Sequence, residues 1–158
     1  MLPSMARTHR AQGVALATVL VAVLLVAAIP ASPARAENLA VLQAVSRSDA
    51  RIVAASKQYT RCAVVASTSC LTSAGRTIAV RSSRSAREIR AALDASDHPC
   101  VQTIAARTLS ALALSNRAGV ALTRGQYGLA AGLVSNAIRR ISSIGAFAEG
   151  CTAALGGG

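Results

Sequence analysis

Aromatic rings are scarce in this chain, which has no tryptophan, one phenylalanine and two tyrosines. That removes the stacking platforms on which single-stranded nucleic acid is usually held, and it denies a core its largest side chains. Lysine is nearly missing as well: Lys57 stands alone among the 17 basic residues. Only six residues are acidic. Of the two histidines, only His98 follows residue 36, and Pro99 is the only proline in that part. There is no Asn-Gly or Asp-Gly turn and no long alternating run, so β-hairpins have no signal here. No C-x-x-C pair occurs, and one histidine beside widely spaced cysteines suits zinc poorly.

Long uncharged runs occur once. Val14 to Ile29 follows Arg7 and Arg10, and is followed by Pro30, Pro33 and the small-residue triplet Ala34-Arg35-Ala36. This is the pattern of a secretory leader cut after Ala36. Sixteen residues are short for a bilayer span, which takes about 20, so a cleaved signal over residues 1–36 is expected. A single domain over 37–155 and a loose glycine tail at 156–158 should follow, with no stable transmembrane segment in the mature part. The expected address is outside the cytosol, secreted or at the cell envelope.

Beyond residue 36 there are 14 basic side chains against six acidic ones, a balance of about +8. Thirteen of the 14 are arginine, whose planar fork bonds two oxygens of a phosphate or carboxylate together. A solvated helix face in an Ala- and Arg-rich composition is the plain alternative.

Alanine, leucine, serine, arginine and valine dominate the mature part, which favours helices. Four segments emerge. The first runs from about Asn38 to Ala66, with Val41, Val45, Ile52, Ala55, Tyr59 and Cys62 on one face. Ser67-Thr68-Ser69 offers capping hydroxyls to a second, about Cys70 to Ala95. Ser96-Asp97-His98-Pro99 separates it from a third, Cys100 to Thr123, whose only charges are Arg107 and Arg117, so it should be the most buried. Arg124-Gly125-Gln126 then turns the chain into a fourth, Tyr127 to about Ala148. The expected fold is all-α, an antiparallel up-down four-helix bundle stabilised by two disulfides. One alternative is drawn from Ser82-Ser83-Arg84-Ser85, which is poor helix interior. Ser85 and Glu88 have capping-box spacing, so a break there would give five shorter helices.

Four cysteines in an oxidising compartment form two bridges. An up-down bundle puts Cys62 and Cys70 at one end and Cys100 and Cys151 at the other. Helices of about 24 residues span roughly 36 Å, whereas bridged Cα atoms lie within about 7 Å. Cys62–Cys70 and Cys100–Cys151 are therefore the expected pairs.

Leu114 to Arg140 resembles one tetratricopeptide repeat through Gly125-x-Tyr127-x-x-Ala130 and Ala137-Ile138. Arg117 stands where that family places an apolar residue, and no second copy is found. Such units need about three copies to stack, so the stretch is read as a helical hairpin with a short glycine turn, and the peptide or protein binding the family would imply is not carried over. Gly128 and Gly132 make a G-x-x-x-G pattern. It is read as a flat groove against the third helix, with self-association as the other possibility.

Catalysis finds little support. Asp94, Asp97 and His98 share one loop and are read as capping and solvating it. No G-x-S-x-G elbow is present, and cysteines in disulfides are not nucleophiles. Neither an enzyme, a cofactor nor a metal is expected. The basic residues carry the functional reading. Arg47, Arg51 and Arg61 fall along the first segment, and Arg76, Arg81, Arg84, Arg87 and Arg90 crowd the second. The expected function is non-catalytic binding through this face to an anionic envelope polymer, lipid headgroups or an acidic protein, with nucleic acid excluded as a partner. The alternative is a secreted carrier of an apolar small molecule in the bundle interior.

Overall fold

A computed structural model describes residues 33–156. The expected leader run, Val14 to Ile29, and the last two glycines lie outside the described residues. The described residues form four helices: α1 (Pro33–Val64), α2 (Thr68–Leu93), α3 (Pro99–Thr123) and α4 (Tyr127–Gly156). Short connections make each helix antiparallel to the next. α1 packs on α2, α2 on α3 and α3 on α4, and α1 also touches α3. Among the described residues α1 and α4 do not pack against each other. The expected all-α, up-down architecture is thus present, with its helices packed in chain order.

Local chemistry explains the helix ends. Pro33 opens α1 rather than breaking it, because a first-turn residue has no intrahelical N–H bond to lose. The expected cleavage position therefore falls in the first turn of this helix. Ser67 caps α2, its hydroxyl accepting from the Cys70 N–H at 3.3 Å. His98 occupies the N-cap position of α3 without a side-chain cap bond, and Pro99 begins the helix. Gly125 adopts φ +72° in the α3–α4 turn, a conformation that L side chains rarely take. α4 runs past Ala148 and ends at Gly156.

The five-helix alternative is corrected by α2, which is continuous from Thr68 to Leu93. Ser82 and Ser85 lie on its buried face, where tertiary packing outweighs their weak helix propensity. No helix starts at Ser85 for a capping box to serve, and the Glu88 carboxylate pairs with Arg51 and Arg84.

α3 is the most buried helix, with eleven buried residues against six in α2. Two apolar clusters fill the interior. One, toward the Cys100 end, gathers Val41, Val45, Ile89, Val101, Ile104 and Ile144. The other, toward the Cys62 end, holds Ala55, Ile78, Ala121, Leu122 and Ala130, with Tyr59 against it. Ser48 lies between the two clusters along α1, and Ser82 and Ser85 do so along α2; all three are buried. Their hydroxyls have no hydrogen-bond partner among the described residues. Other helical hydroxyls in the chain bond back to carbonyls, as Thr108 does to Ile104 and Ser115 to Ala111.

A close helix contact involves glycines other than the expected pair. Gly128 and Gly132 are exposed, and a Cβ on either would meet nothing within 4 Å. The expected groove between them and the third helix is therefore not there. Close approach occurs instead where α2 crosses α3, at Gly75 and Gly119, and a Cβ on Gly75 would lie 2.7 Å from the Gly119 carbonyl oxygen.

Candidate anionic-partner surface

The cysteines set the frame for the surface. Cys62 is bonded to Cys70 with Cα atoms 5.3 Å apart, and Cys100 to Cys151 at 5.8 Å. These are the pairs selected by helix length and direction, and they close the fold at opposite ends.

Within that frame the eight arginines divide into three groups. Arg51, Arg81 and Arg84 come together over Ala50 and Ala54 in a shallow, open groove of about 400 Å³ between α1 and α2. The two alanines and the three arginines line it together. Arg81 reaches across to donate to the Arg51 carbonyl oxygen at 3.4 Å. Arg76, Arg87 and Arg90 are exposed and lie within about 60° of one another around α2, at roughly 100° per residue. They form a row on its outer side, turned away from the groove. Arg47 lies one helical turn before Arg51, whereas Arg61 stands near the end of α1, beside Cys62.

Among the described residues Glu88 is the one acid that acts on this surface. It pairs with Arg51 at 2.5 Å and with Arg84 at 3.0 Å. Those hydrogen bonds, Arg51 first and then Arg84, hold its carboxyl below the ordinary glutamate range. The Arg84 pair has i,i+4 spacing and was legible in the sequence. The Arg51 pair ties α1 to α2 and was not. Among the described residues, Arg47, Arg61, Arg76, Arg81, Arg87 and Arg90 make no ion pair.

Away from this face, burial pushes the Asp49 carboxyl up to about 6, and no described residue bonds to it. Asp94 and Asp97 are exposed in the α2–α3 connection. That connection is fixed by Ser96, whose hydroxyl donates to Asn38 Oδ1 at 2.5 Å and whose carbonyl accepts from Gln102 at 3.1 Å. No group of three metal-binding side chains occurs among the described residues. Nor is any described helix long and apolar enough to cross a membrane. On α3 and α4, Arg107 lies 4.7 Å from the centre of the Phe147 ring and is engaged there.

Comparison with protein-family models, with curated proteins and with solved structures finds no match for the chain.

Proposed function

We propose that this is a small secreted or envelope-associated protein that acts without catalysis, binding an anionic surface or acidic partner through the arginines of α1 and α2. The observation that carries the reading is the shortage of acid around them. Eight arginines lie on α1 and α2, and Glu88 alone pairs with any of them among the described residues. Unpaired guanidinium groups keep their donors free for phosphate or carboxylate oxygens. Two disulfides favour an oxidising compartment, which agrees with the leader-like start of the chain.

The test replaces Arg81, Arg84, Arg87 and Arg90 together by glutamine and measures binding to isolated cell envelope at low and high salt. A basic side chain near an anionic surface contributes about 1 kcal/mol, so the quadruple variant should bind roughly a thousandfold more weakly at low salt. Binding of the parent protein should itself fall as salt rises. Equal binding by both proteins, or binding indifferent to salt, overturns the reading.

A further inference from the structure

Among the described residues the two ends of the molecule differ in charge and in apolar exposure. Because the helices run up and down, the α1–α2 and α3–α4 connections emerge at the same end, the one closed by Cys62–Cys70. Among the described residues six large hydrophobics are exposed, and four of them lie in or within one helical turn of these two connections: Val64 (81%), Val65 (66%), Leu129 (55%) and Tyr127 (37%). The first connection is cross-linked. The Cys62–Cys70 bridge spans it, and Ala66 holds a left-handed φ of 49° within it, a conformation that disfavours a residue with a Cβ.

Charge is segregated along the same axis. Residues 55–78 and 114–136, which make this end of the molecule, contain Lys57, Arg61, Arg76, Arg117 and Arg124 and no acid. Four of the six acids lie toward the opposite end: Glu37 early in α1, Asp94 and Asp97 in the α2–α3 connection, and Glu149 late in α4. An exposed apolar tip ringed by cations and free of acid has the composition of an interfacial anchor, whose apolar part enters the acyl boundary while its cations meet anionic headgroups.

We propose that this end docks tip-first on an anionic lipid bilayer, with Val64, Val65 and Leu129 entering the headgroup–acyl boundary and Tyr127 at the interface. Arg61 and Arg124, both exposed, lie beside the tip to meet lipid phosphates. The proposal rests on the reading that the protein meets an anionic surface. It adds the source of the charge, a bilayer, and an orientation with the helices standing on the membrane instead of lying along it.

The chain contains no tryptophan, so a single introduced indole reports depth without background. Val65→Trp and Val80→Trp each replace an exposed valine, the second on the outer side of α2. Each full-length variant is mixed with vesicles of phosphatidylglycerol and phosphatidylcholine carrying brominated acyl chains, and with phosphatidylcholine vesicles alone. The expected result is a blue shift and quenching for Val65→Trp in the anionic vesicles and neither for Val80→Trp. Replacing Val64, Val65 and Leu129 together by serine should lower vesicle affinity at least tenfold and leave the salt dependence in place. Quenching of Val80→Trp without Val65→Trp would mean side-on docking and would overturn the proposal while sparing the arginine face. Silence from both indoles would do so as well, whether from lack of binding or from attachment through the leader at the other end. Unchanged affinity of the triple serine variant would also overturn it. The quadruple glutamine variant tests the side face separately, so the two readings fail on different proteins.

Discussion

Gly75 and Gly119 face each other across the α2–α3 contact, each occupying the space that a side chain on the other would need. A Cβ on Gly119 would lie 2.6 Å from the Gly75 carbonyl oxygen and 2.7 Å from the Ala79 nitrogen. These are backbone atoms and cannot swing aside. Nearby, Asn116 donates to the Ala79 carbonyl at 3.0 Å and to the Ser83 hydroxyl at 2.8 Å, which holds the two helices in register.

Gly75→Ala and Gly119→Ala should therefore each destabilise the fold by about 3 kcal/mol, the upper part of the overpacking range. Gly132→Ala should have the opposite sign. It adds a methyl in open space on a helix, where alanine is preferred to glycine by roughly 1 kcal/mol. Urea unfolding of the three variants checks the contrast, and a destabilised Gly132→Ala would show that α4 has a close neighbour there.

The same contact shows where sequence reasoning stops. The connections at Ser96–Pro99 and Arg124–Gln126 were legible because proline and glycine restrict the backbone locally. The burial of α3 followed from its two charges, and the disulfide pairing from helix length and direction. The glycines were misjudged because a G-x-x-x-G pattern within one helix does not say which face meets a neighbour. Gly75 and Gly119 lie in different segments, and only their packing brings them together. The middle of α2 was obscured for a related reason: Ser82 and Ser85 lower local propensity, while the burial that keeps the helix intact depends on α1 and α3. For the arginines, the sequence carried the count and the Arg84–Glu88 spacing. The groove shared by Arg51 and Arg81 depends on the level at which α1 and α2 are set.

Ser82 and Ser85 supply a second prediction. Their hydroxyls are buried with no hydrogen-bond partner among the described residues, and such a group costs about 1–3 kcal/mol relative to water. Ser82→Ala and Ser85→Ala remove the hydroxyl, keep the size and improve helix propensity. Each should raise stability by roughly 1 kcal/mol, measured as a higher urea midpoint with an unchanged slope. A lower midpoint would mean that the hydroxyl is bonded in solution.

Acid should act on Asp49 and Glu88 in opposite senses. Burial raises the Asp49 carboxyl from 3.8 to about 6, so between those values the folded state holds the proton more tightly than the unfolded chain. This contribution favours folding below about pH 4 and is lost as pH rises through about 6. Glu88 is lowered by Arg51 and Arg84, so its contribution is present above the ordinary glutamate range and is lost as pH falls through its depressed value. Asp49→Asn should abolish the loss of stability between about pH 4 and pH 6, stabilise the fold at pH 7 by an amount on the order of 2 kcal/mol, and so raise Tm there. Glu88→Gln should leave that window unchanged and lower stability at neutral pH. Thermal melts from pH 3 to pH 8 on the three proteins separate the two effects.

The two disulfides differ in what they constrain. Cys62 and Cys70 are separated by 8 residues and Cys100 and Cys151 by 51. Loop-closure entropy assigns about 2.5 kcal/mol to the short link and about 4 kcal/mol to the long one. Geometry widens the difference. The short link closes a connection whose ends already meet through the α1–α2 contact, whereas the long one ties the end of α4 to the start of α3. Among the described residues α4 packs on α3 alone, and the long link joins those two helices. Replacing Cys100 and Cys151 by alanine should therefore lower Tm more than replacing Cys62 and Cys70, and should raise amide hydrogen exchange selectively from Ile144 onward. The Cys62→Ala, Cys70→Ala protein should instead keep α4 protected and loosen residues 64–68. Equal exchange of α4 in both proteins would show that α3–α4 packing holds the helix without its terminal link.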